Sequence, residues 1–292
     1  MRIGLLATLV LVAVEFIAGM RAHSLALVSD AWHNLTDVPT MLLAWLALHF
    51  EQRPPNHRQT YGYHRAGVLS AFVNALIMLG IAAMICYEGY QRLLQPRPVA
   101  TGIMLVVGLF ALVINSGISL ALAREHRDLN LRAVLLHNVG DALSNLGILA
   151  GAILIRHTGQ FVIDSLLSFL IAGLILWTAL GIVVDSVNIL LESTPRDVNV
   201  NEVAGVMLSV PGVREVHDLH IWSLGSRAKA LSCHVVTLDM AMSESEKIAF
   251  RLRRLLARQF AINHTTFQFE HTHEPGEHHI YMPEPWTPED HR

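Results

Sequence analysis

For its first two thirds the chain alternates long apolar runs with short polar breaks, and then its character changes. Spanning a bilayer as a helix takes roughly 20 apolar residues. Runs of that kind lie at about 3–20, 26–49, 67–90, 101–123, 132–155 and 162–190. The breaks between them carry Arg, Pro, Gly and His, as in Arg21-Ala22-His23 and the stretches 51–65, 91–98, 124–130 and 156–160. The pattern predicts six membrane-spanning helices over residues 1–195. The run at 3–20 contains Glu15 and lacks a small-x-small cleavage site, so it is read as the first span and not as a signal peptide. Past Pro195 the runs shorten and polar residues interleave. Residues 196–271 predict a small α/β domain: a helix over 198–209, β-rich runs at 213–224 and 228–238 joined by a Gly225-Ser226 turn, a helix to about 260 and a strand at 265–270. Ser243 with Glu246 three residues on predicts a capping box for the second helix. Residues 272–292, rich in Pro, Glu and His, predict a disordered tail.

Polar residues inside the apolar runs carry the chemistry. The second run reads His33-Asn34-Leu35-Thr36-Asp37 and the fifth reads His137-Asn138-Val139-Gly140-Asp141. An i, i+4 spacing places two side chains on one helix face, roughly 5–6 Å apart at Cβ. A buried Asp costs on the order of 3 kcal/mol on insertion scales, so such groups persist where they face a partner or a polar path. Two facing His-x-x-x-Asp pairs make a four-ligand N2O2 set, which suits tetrahedral Zn2+. The alternative is polar glue between packed helices, and its repetition in two runs favours the metal pathway. Asp30 lies seven residues before Asp37 on nearly the same face. It is either an outer waypoint for ions or a plain polar partner. Asn34 and Asn138 sit one residue off the ligand face and are read as helix-helix hydrogen bonders. Asn74, Glu88, Asn115 and Asp185 are open to packing, dimer or transport roles.

Composition agrees with a membrane protein: 52% of the 292 residues are hydrophobic and 15% charged. Residues 1–195 hold eleven Arg and no Lys, every Arg near the edge of a run. Seven edge Arg fall on the N-terminal side against four on the other, which favours both termini in the cytoplasm. The predicted fold class is therefore a membrane α-helical protein of six transmembrane helices, followed by a small cytoplasmic α/β domain of ferredoxin-like type. The net charge of −3 argues against a nucleic-acid partner. Cys86 lies in an apolar run and Cys233 in the polar third, so no disulfide joins them. No His-Glu-x-x-His is present to supply the general base of an intramembrane metalloprotease, and no enzyme activity is expected.

In the α/β domain, His217 and His234 fall on adjacent predicted strands and Glu270 on the third. A small sheet brings all three to one edge as a second metal set, or leaves them as surface polar residues. Alternation of strand faces keeps His220 off a clean match with either histidine and points Cys233 away from His234. His271, His273, His278, His279 and His291 mark a tail that is either solvated or a weak metal trap.

These residues resemble the cation diffusion facilitators. Ser24-Leu25-Ala26-Leu27 leading to Asp30-Ala31-Trp32-His33 is similar to that family's second span, Tyr61-Gly62-Tyr63-His64-Arg65 to its loop before span three, and Val216-His217-Asp218-Leu219-His220-Ile221-Trp222 to its soluble-domain strand. His at position 33 resembles the zinc-transporting branch. The resemblance implies a homodimer in the cell's inner (plasma) membrane that exports Zn2+, or Cd2+, in exchange for H+. It also implies a transport site of His33, Asp37, His137 and Asp141, and a regulatory Zn2+ held by His217, His234 and Glu270. The 124–130 loop departs from the family's His-rich stretch, with His126 alone.

Overall fold

The computed structural model of the protein describes residues 2–35, 56–125, 130–225 and 228–271. Within it the chain divides into two compact units, residues 1–45 with 71–183, and residues 46–70 with 184–292.

The first unit is built from helices: α1 (Arg2–Ala22), α2 (described over 25–35), α3 (His64–Leu94), α4 (Thr101–Glu125), α5 (Asn130–Thr158) and α6 (Val162–Leu190); α3, α4 and α5 extend beyond their apolar runs, and α6 matches its run. Among the described residues, α3 and α6 are long and apolar enough to cross a membrane by themselves. Large apolar side chains such as Val106, Leu143 and Trp177 point outward. The interior instead collects small residues, Ala22, Ala26, Ala82, Ala152, Ala172 and Ala179, around Leu27, Met104, Ile148, Ile155 and Ile175. Small interior residues let helix backbones approach, as expected where lipid replaces water outside. Gly151 marks such an approach of α5 to α6, since a Cβ there would collide with the Leu167 side chain.

Polar groups inside this unit are paired between helices. Asn34 on α2 donates to Glu15 on α1 at 2.9 Å, and Ser144 on α5 donates to Asp30 on α2 at 2.7 Å. Glu88 lies near the end of α3 and meets Arg92 one turn on, at 3.1 Å.

In the second unit, α7 (Val200–Leu208) starts at Asn199, whose side chain accepts from the backbone N–H of Asn201 and Glu202. Strands β1 (Glu215–Ser223) and β2 (Lys229–Val236) pair antiparallel, and β3 (Ile262–Glu270) adds parallel to β2, leaving β2 central. A parallel neighbour needs a crossover, supplied here by α8 (Met242–Phe260). Its apolar stripe of Ile248, Ala249, Leu252 and Leu256 is buried against Leu219, Ile221, Leu231 and Val235 of the sheet, with Val203 and Met207 of α7. The helix begins one residue before the expected box: Ala241 is its N-cap and makes no side-chain cap bond, so Ser243 lies inside the first turn. The third strand starts at Ile262, earlier than its β-branched residues suggest, because Ala261 takes a left-handed turn (φ 55°) straight out of α8.

Candidate metal centre

Strand register builds the centre. His217 on β1 stands directly opposite His234 on β2, and His234 stands opposite Gln268 on β3, two residues before Glu270. Alternate residues share a sheet face, so His217, His234 and Glu270 converge on the same side. The other side carries Leu219, Leu231, Cys233 and Val235 into the core. Glu270 spans both histidines: Oε2 lies 3.4 Å from His217 Nε2, and Oε1 lies 3.0 Å from His234 Nδ1. The imidazole rings meet edge to face, with centroids 5.1 Å apart. One donor atom from each of the three residues falls within 4.8 Å of the others.

Two imidazole nitrogens and one carboxylate oxygen are the donor types that Zn2+ takes in three-protein-ligand sites, leaving a fourth position open. Burial adds to the fit. His217 is only 2% exposed and Glu270 is half-buried, a setting in which polar groups need partners. Cys233 takes no part. It faces the core, where burial and then the nearby Asp218 charge push its thiol up to about 12.

Regular alternation would put Asp218 opposite His217 in facing and leave His220 off the histidine face. A β-bulge between His217 and His220 changes this. It inserts one extra residue on β1, so His220 pairs with Ser232, which shares a face with His234. Asp218 sits in the bulge at φ 47°. Its Oδ1 lies 2.8 Å from His220 Nε2 and its Oδ2 3.7 Å from His234 Nε2. Hydrophobic patterning carries no signal for this bulge. The closest sequence hint is an Asp, a residue that tolerates the left-handed region.

In the helical unit, His33 lies half-buried on α2, and Asp37 falls outside the described residues. His137 and Asp141 lie one turn apart on α5, with side chains outside the described set. His273, His278, His279 and His291 also fall outside it. The Asp30–Ser144 bond joins α2 to α5, three residues before His33 and three after Asp141. Nothing local in the sequence marks Ser144, because one serine in an apolar run has no signature of its own.

Residues 1–191 match the family described as "Cation efflux transmembrane domain", and residues 195–272 match "Cation efflux protein, cytoplasmic domain". The chain is 37% identical to the cation efflux system protein CzcD of Alcaligenes sp. (strain CT14), over 92% of this chain and 85% of that protein. It is 35% identical to a cadmium, cobalt and zinc/H(+)-K(+) antiporter of Bacillus subtilis (strain 168), over 89% and 86%. It is 36% identical to the zinc transporter ZitB of Escherichia coli (strain K12), over 88% and 82%. A solved metal-bound C-terminal domain of the CzcD transporter from Cuprividus metallidurans is 42% identical, covering 25% of this chain and 99% of that one, with a TM-score of 0.23. Apolar helix exteriors fit a membrane-embedded unit, and the two family matches make the chain an integral-membrane metal-cation transporter. The chain belongs to the cation efflux family, in its zinc-transporting branch.

Proposed function

We propose that this chain exports Zn2+, or Cd2+, from the cytoplasm in exchange for protons, by alternating access in a homodimer. The observation that supports this best is the bond between Asp30 and Ser144. It joins the two helices that carry His-x-x-x-Asp, three residues from each motif. His33, Asp37, His137 and Asp141 then bind one Zn2+ near mid-membrane, the two carboxylates balancing its charge. Imidazole binds metal only when neutral, so protons and zinc compete for the same nitrogens. Facing outward, protons displace zinc; facing inward, zinc displaces protons. The helices rock between these states around a fixed site.

In this reading residues 1–195 form six spans, 196–271 a cytoplasmic domain and 272–292 a His-bearing tail, with both termini cytoplasmic in the inner (plasma) membrane. The order αββαβ among the described residues of the second unit supports a ferredoxin-like reading, since it matches βαββαβ from the first helix onward. His217, His234 and Glu270 hold a regulatory Zn2+, and its occupancy favours one packing of the dimer by differential affinity.

The test is zinc flux in liposomes with an imposed pH gradient. Zinc movement driven by the gradient and lost when it collapses is the expected result. Zinc binding without gradient-driven flux would make the protein a metal sensor and overturn the proposal.

A further inference from the structure

We infer that Asp218 is the positioning residue of the sheet centre: its carboxylate, facing Nε2 of His234 at 3.7 Å, holds the ring proton on that nitrogen and so presents Nδ1 to the metal. The inference rests on the reading of His217, His234 and Glu270 as a metal centre, and adds what sets the chemistry of one ligand.

His234 lies between two carboxylates, with Nδ1 3.0 Å from Glu270 and Nε2 3.7 Å from Asp218. A neutral imidazole carries one N–H. With the proton on Nδ1, that nitrogen has no lone pair for a metal, and the Nε2 lone pair faces the Asp218 carboxylate. With the proton on Nε2, a hydrogen points at Asp218 and the Nδ1 lone pair is free on the side where Glu270 and His217 Nε2 converge. The two ring nitrogens point to different sides of the ring, so one ion cannot meet Nδ1 and also take the Asp218 oxygen beyond Nε2. Asp218 therefore acts through His234. Ligating histidines commonly donate their second N–H to a carboxylate, which fixes tautomer and ring orientation.

The backbone is shaped to bring this carboxylate there. In an unbroken strand the residue after His217 faces the core. The bulge turns residue 218 to the histidine face and holds it at φ 47°, a conformation uncommon for residues other than Gly, Asn and Asp. His220, turned to the same face by the same bulge, holds the second oxygen at 2.8 Å. A His220–Asp218–His234–Glu270–His217 relay thus runs along one side of the sheet, with the metal donors at one end and an anchor at the other.

The test uses the full-length protein in detergent, with Zn2+ as the probe, and the variants Asp218→Gly, Asp218→Asn, His220→Ala and His217→Ala. Gly and Asn both accept the positive φ, so neither forces the bulge to refold. Asp218→Gly is expected to weaken zinc binding at this centre about 10- to 100-fold. Asp218→Asn, whose amide oxygen still accepts a hydrogen bond, should lose less, and His220→Ala less than Asp218→Gly. In 15N-histidine spectra, with His234 assigned by its loss in His234→Gln, the zinc-loaded protein should show Nε2 protonated and Nδ1 metal-bound. That signature should break down in Asp218→Gly. Zinc bound through Nε2 of His234, or unchanged zinc affinity in Asp218→Gly, would overturn the inference. Unchanged affinity in His217→Ala would instead remove the centre itself, a separate failure.

Discussion

The backbone N–H of Leu25 donates to Oδ2 of Asp164 at 2.6 Å, across 139 positions of sequence. Ser24 Oγ donates to the other oxygen at 2.5 Å and accepts from Leu27 N–H. The start of α2 is thus capped by a side chain from α6, with Arg92 nearby, 3.8 Å from the same carboxylate. An N-cap is worth roughly 0.5–2 kcal/mol, and a buried unsatisfied donor costs a similar amount. Asp164→Leu removes both oxygens and is expected to destabilise the helical unit by about 2 kcal/mol or more. Asp164→Asn keeps one acceptor and should cost less. Thermal unfolding of the purified protein in detergent checks the order; equal melting temperatures for all three would show that α2 does not need this cap.

Asp141→Ala is expected to abolish zinc flux while the protein still folds and dimerises, since it leaves three donors of the proposed four. Transport assayed well below saturating zinc, with size-exclusion chromatography for assembly, reads both halves. Wild-type flux in this variant would remove Asp141 from the site.

His33→Asp is expected to shift preference toward Mn2+ and away from Zn2+. The change replaces a borderline nitrogen donor with a hard oxygen donor. Competition flux with both metals measures the ratio, and an unchanged ratio would mean that His33 does not touch the ion.

For the sheet centre, His234→Ala should lower the protein's zinc affinity there and raise the cytoplasmic zinc needed for half-maximal flux, with saturated flux near wild type. Loss of all flux in a folded variant would instead put this domain on the transport path.

The buried thiol of Cys233 supplies a pH test. Its proton is held more tightly in the folded chain than the ordinary value of 9.0, up to about 12, by burial and then by Asp218. Folding thus favours the neutral thiol. That contribution is complete below about pH 9 and is lost as pH rises toward 12. Native protein at neutral pH should resist alkylation at Cys233, and denatured protein should not. Cys233→Val should flatten the alkaline part of the stability profile relative to wild type, as read by urea unfolding at successive pH values.

Much of the architecture is local and therefore legible in the chain. The apolar helical runs and the alternation from Leu231 to Val235 follow from the fixed periods of helix and strand. The facing of Cys233 into the core and of His234 away from it follows from the same period. Register also follows in part, because a short connection after Gly225 leaves few ways to set His217 against His234. What the tertiary structure alone decided are partners distant in sequence and breaks in period. Asp164 capping Leu25, Glu15 taking Asn34 and Ser144 reaching Asp30 join residues that no window of sequence contains. The Asp218 bulge moves His220 to the metal face by adding one residue to a count of two. The misplaced start of α8 has the same origin: a backbone entering at Ala241 outweighed the local chemistry of Ser243 and Glu246. Periodic burial is a property of the segment, whereas the partner of a buried polar group is a property of the packed whole.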